Sequence, residues 1–153
     1  MMSRVVLFLF GLLSLLAGSQ IHAAPVAEIV ARQTGNLQCN LDRLSIVSSV
    51  KNLQDTLSQI ASSDSSTADA VAAVQSDVSD AQGGIATIAQ ALVAGQAAPA
   101  SARDVVKQGL VSAGTDLAAV TSSDAATTKL ITKAGTLLTK AGQAGEGVVS
   151  NCK

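Results

Sequence analysis

Aromatic side chains are nearly absent from this chain. Of 153 residues two are Phe, and Trp and Tyr do not occur. His occurs once, and Cys, Met and Pro occur twice each. Charged residues make up only 14%, with a formal net charge of −1. Each shortage excludes something. One His and two Cys are too few for an ordinary zinc or copper site, so no metal or other cofactor is expected. Without aromatics there is no platform on which bases or sugar rings stack. A near-neutral chain lacks the basic surface that displaces counterions from nucleic acid, so no nucleic-acid partner is expected.

Apolar residues are plentiful, at 48%. That is too many for a disordered chain, and the length suits one domain with a buried core. The N-terminus carries the layout of an export signal over residues 1–23. Arg4 supplies positive charge, Val5 to Ala17 an apolar run, and Ile21-His22-Ala23-Ala24 a small-residue exit, with cleavage expected after Ala23. The apolar run is short for a span of about 20 residues, so no membrane-spanning segment is expected. Cleavage removes both Phe, both Met and His22, leaving a chain with no aromatic, His or Met at all. A Ser-His-Asp or Cys-His relay is then excluded, and no catalytic residue set is expected.

Residues 24–38 read as a short N-terminal helical arm. Four longer segments follow, each with apolar residues at helical spacing. The first, about 40–61, carries Ile46, Val50, Leu53, Leu57 and Ile60, widened by Leu44 and Val47; traced backward, this stripe passes Arg43 and reaches Cys39. The second, about 67–94, carries Val71, Val74, Val78, Ala81, Ile85, Ile88 and Leu92. Its phase runs unbroken through Gly83-Gly84, so it reads as one helix, opened by a Ser66/Asp69 capping box and stopped by Gly95. The third, about 102–120, carries Val106, Leu110, Ala113, Leu117 and Val120, with Ser101 as its cap and Pro99 before it. The fourth, about 124–149, carries Ile131, Ala134, Leu138, Ala141, Gly145 and Val148, and ends at Cys152. Connections this short favour antiparallel neighbours. The expected fold is an all-α, up-down-up-down four-helix bundle over residues 39–153.

A shift of sixty residues brings the two halves into register. Ile46, Val50, Leu57 and Ile60 fall on Val106, Leu110, Leu117 and Val120, and Ser62-Ser63-Asp64 falls on Ser122-Ser123-Asp124. Either an old hairpin duplication or two hairpins obeying one heptad rule accounts for this.

In that topology Cys39 and Cys152 lie at the same end of the bundle. Export would place them in an oxidising compartment, where a Cys39–Cys152 disulfide is expected. Free thiols or an intermolecular bridge are the alternatives. No C-x-x-C pair points to redox work.

Some signals carry less. Gly142-Gln-Ala-Gly145-Glu-Gly147 lacks the Lys-Ser/Thr partner and preceding strand of a phosphate loop, and reads as a helix end. Lys129, Lys133 and Lys140 share one face of the fourth helix, a solvated face or one that meets an anionic surface. Six carboxylates face two cations between residues 40 and 95, and six cations face four carboxylates from residue 100 onward.

A core of Leu, Ile, Val and much Ala buries little area per residue. Such amphipathic helices can exchange partner helices for another apolar phase. Ala23-Ala24-Pro25, the Ala/Ser/Thr/Val-rich helices, and the segments Asn52–Ile60 and Ile88–Gly95 together carry a family likeness. Through them the chain resembles the secreted fungal hydrophobic surface binding protein A and cell-wall galactomannoprotein family. It implies wall association and binding of hydrophobic surfaces or fatty-acyl chains, with no catalytic residues carried over. The expected protein is secreted and non-enzymatic, with a hydrophobic surface, lipid or cell-wall component as partner. The residues that would meet the apolar partner are Ile46, Val50, Leu53, Leu57, Val74, Val78, Ile85, Ile88, Val106, Leu110, Leu117, Ile131 and Leu138. The alternative is an extracellular effector whose Lys face recognises a host or wall protein.

Overall fold

The computed structural model describes residues 36–152. The signal segment and most of the arm lie outside the described residues. Among the described residues four helices make the fold: α1 (Leu37–Ser63), α2 (Ala68–Val93), α3 (Ala100–Ala119) and α4 (Ala125–Asn151). A single 3-10 turn, Ser65–Thr67, links α1 to α2. No strand occurs among the described residues. The helices run alternately up and down, as short connections between successive helices require.

Local chemistry sets each boundary. Asn36 caps α1, its side chain accepting from the backbone N–H groups of Gln38 and Cys39. Residues 37 and 38 therefore belong to the bundle rather than to the arm. Asp64 accepts from the N–H and hydroxyl of Ser66, and Asp124 from the N–H of Thr127. The Ser122 hydroxyl, and after it Ser66, hold the Asp64 carboxyl below the usual carboxylate range, and Thr127 does the same for Asp124. The Ser66/Asp69 capping box does not form, because Asp64 has already engaged Ser66 in the 3-10 turn. Ser101 is not a cap either. Pro99 occupies that position and leaves the start of α3 without a side-chain cap. At the end of α2, Gly95 adopts φ 70°. Gly95 N–H bonds Leu92 O and Gln96 N–H bonds Ala91 O, a Schellman closure that needs a residue tolerant of left-handed geometry.

The helices form two tight pairs, α1 with α4 and α2 with α3, more loosely joined to each other. The sixty-residue shift maps one pair onto the other. Small residues explain the closeness. On α2, a Cβ at Gly84 would sit 2.8 Å from Ala102 O; on α3, one at Gly109 would sit 2.7 Å from Asp77 O. Ala81 and Gly84 map onto Ala141 and Ala144, which are buried on α4. Between the pairs lies the core of Ile46, Val50, Leu53, Leu57, Ile60, Val71, Val74, Val78, Leu117 and Val120, closed by buried alanines. Leu44 and Val47, expected to widen the first stripe, stand 66% and 48% exposed. With α4 packed so closely against one side of α1, the buried arc of α1 is too narrow to include them.

At the loop end the two connections meet, and Ser122 donates its hydroxyl proton to the Asp64 carboxylate. At the other end Cys39 and Cys152 form the expected disulfide, with Cα atoms 5.0 Å apart and a sequence separation of 113. Asn36 Nδ2 donates to Asn151 O at 2.8 Å, and Asn151 Nδ2 donates to Asp42 Oδ2 at 2.8 Å. These bonds sew the start of α1 to the end of α4.

Candidate functional site: an apolar cavity at the disulfide end

The core is not filled evenly. Toward the loop end Leu53, Leu57, Ile60, Val71, Val74 and Val78 are fully buried. Toward the disulfide end the two tight pairs leave a cavity of about 240 Å³. Ile46 and Val47 of α1, Ile85, Ile88 and Leu92 of α2, Val106 of α3 and Val148 of α4 supply its apolar wall. Arg43, Arg103, the 97–98 connection and Cys152 complete it.

The repeat explains this lining. Arg43 and Arg103, Ile46 and Val106, Ile88 and Val148, and Leu92 and Cys152 are all sixty residues apart. The cavity therefore sits where the two halves of the chain present equivalent positions to each other. Equivalence fails at Ile85, whose counterpart is Gly145. One half contributes a branched side chain where the other contributes none.

The residues expected to meet an apolar partner divide into two groups. Ile46, Ile85, Ile88 and Val106 line the cavity. Val50, Leu53, Leu57, Val74, Val78 and Leu117 are buried in the core, with Leu110, Ile131 and Leu138 half-buried against it. Only the first group can reach a ligand while the bundle stays closed. Lys129, Lys133 and Lys140 are exposed on α4 and take no part in the cavity. Arg103 escaped sequence reasoning, although the repeat that places it opposite Arg43 was present in the sequence. Arg43 lies half-buried, with Nη1 3.4 Å from Asn40 Oδ1. Burial pulls its guanidinium below the ordinary value, yet an arginine keeps its charge at any working pH.

A second cluster, Asp77, Asp80 and Asp116, lies on the α2/α3 seam near Gly109. Desolvation, the charge of Asp116, a hydrogen bond to it and the charge of Asp80 push the Asp77 carboxyl up. One of its oxygens is buried without a hydrogen-bond partner. A raised native value means that ionised Asp77 opposes folding at neutral pH. The penalty falls away as pH drops through that raised value toward the unfolded one. Asp77→Asn should therefore raise the melting temperature at pH 7, with the gain shrinking toward pH 4. Thermal scans of both proteins across that range check this; a gain independent of pH would assign the effect to packing. No group of His, Cys, Asp and Glu among the described residues is arranged to hold a metal ion.

The fold and the cavity define a disulfide-closed, aliphatic four-helix bundle with room between its helix pairs. No family model, no curated protein and no solved structure matches the chain. Among the described residues, no helix is long and apolar enough to cross a membrane.

Proposed function

We propose that this protein is a secreted, non-enzymatic binder that accepts the apolar chain of a lipid or similar amphiphile between its helix pairs and works at a cell wall or surface. The observation carrying this reading is the cavity of about 240 Å³ beside an otherwise solid core. Its wall is made of Ile, Val, Leu and Ala, which offer dispersion contacts and no competing hydrogen bonds. It approaches the lower bound of ordinary ligand sites, about 300 Å³. Emptying such a cavity of water and filling it with methylene groups favours binding by about 0.8 kcal/mol per group buried. The export layout of residues 1–23 supports the extracellular setting.

The test is titration of the purified, oxidised protein with single-chain amphiphiles below their micelle concentrations. The expected result is saturable binding at one site per chain. Ile88→Phe adds bulk where the cavity is open, so it should weaken binding while leaving the helical circular dichroism unchanged. No saturable binding, or full binding by a folded Ile88→Phe variant, would sink this reading.

A further inference from the structure

We infer that the occupant carries an anionic head, a carboxylate held by Arg103, on a single chain of about ten carbons. This rests on the apolar-chain reading above and specifies its ligand.

Charge is the first argument. Among the described residues that line the cavity there are two guanidiniums and no carboxylate. The acidic residue next to Arg43 in sequence is turned elsewhere: Asp42 accepts from Gln38 Nε2 at 3.0 Å and from Asn151 Nδ2 at 2.8 Å. Among the described residues no hydrogen bond or ion pair engages the Arg103 side chain. It is exposed, on the first turn of α3. Arg43 stands at the equivalent position of the other half, on the same rim. Among the described lining residues none attracts a cationic head, and a neutral head would leave the Arg103 charge without a ligand partner. A carboxylate matches the planar fork of a guanidinium.

The start of α3 adds to this. Its first turn opens beside Ala97 and Ala98 of the cavity wall and has no side-chain cap. The positive end of its dipole therefore points the same way as the guanidinium charge.

Volume sets the chain. An apolar cavity of about 150 Å³ accepts the six carbons of benzene. By the same ratio, about 240 Å³ accommodates about ten carbons.

Calorimetric titration with decanoate, 1-decanol, decyltrimethylammonium and palmitate at pH 7 tests this. Decanoate should bind at least about tenfold more tightly than decanol, with the ammonium compound weakest. Arg103→Gln should abolish the preference for decanoate and leave decanol binding unchanged. Equal binding of decanoate and decanol to the unaltered protein would overturn the head assignment and leave the apolar reading standing. So would a preference that survives Arg103→Gln. Palmitate binding more tightly than decanoate would overturn the length assignment. Failure of both decanoate and decanol would remove the apolar-chain reading, and this inference with it.

Discussion

Replacing Cys39 and Cys152 together by alanine should lower the free energy of unfolding by about 4–5 kcal/mol, the value the chain-entropy account gives for a loop of this size. The bridge spans 113 residues, nearly the whole described chain, so reduction frees the unfolded ensemble along almost its full length. Native packing gives little to offset this. Buried alanines at 81, 113, 134 and 141 fill core positions where larger side chains would bury more area. A domain of this size has about 5–15 kcal/mol of stability in all. Losing the bridge should therefore consume a large share of it. Urea denaturation of the double variant, and of the native protein with and without reductant, measures the change. A change in unfolding free energy below about 1 kcal/mol would mean that the ends stay together without the bond. The Asn36–Asn151 and Asp42–Asn151 hydrogen bonds are the contacts that would then be holding them. Because Cys152 lines the cavity, the same variant should also bind amphiphiles more weakly.

Gly109→Ala should have the next largest effect. Its new Cβ would meet Asp77 O at 2.7 Å, Ala81 N at 2.9 Å and Ala81 Cβ at 3.0 Å. Two of these are backbone atoms, so no rotamer change relieves the clash, and α2 must move away from α3. Overpacking of this kind costs about 1–3 kcal/mol. Ala's better helix propensity returns about 1 kcal/mol at most. Gly83→Ala is the control. Nothing lies within 4 Å of its new Cβ, so the propensity gain of about 1 kcal/mol should appear undiminished. Thermal unfolding should thus move in opposite directions for two Gly→Ala changes on facing helices. If both stabilise, α2 and α3 lie further apart than described.

Apolar periodicity alone marked four helices, because each must turn one stripe inward and the spacing of that stripe is set by the helix itself. The phase through Gly83-Gly84 correctly gave one helix. The disulfide was legible too, since the topology brings the first and last residues of the bundle to one end. Helix starts were less legible. Ser66 and Ser101 both look like caps, but Asp64 and Pro99 hold the chain in geometries that deny them the role. Leu44 and Val47 look like core residues, but the tight approach of α4 narrows the inward face of α1 and leaves Leu44 in solvent and Val47 half-exposed at the cavity wall.

The sequence by itself determined the four helices of the described residues, their alternating direction, the pairing of the cysteines and the aliphatic character of the core. All of these follow from local spacing and from short connections. Which helices approach closely, and where the core stays unfilled, was decided only by tertiary structure. Those outcomes depend on Gly84, Gly109 and the buried alanines meeting across helices, a property of no single segment. Close approach within each pair and looser packing between pairs leave a cavity at one end. The sixty-residue repeat then sets Arg43 and Arg103 at its rim.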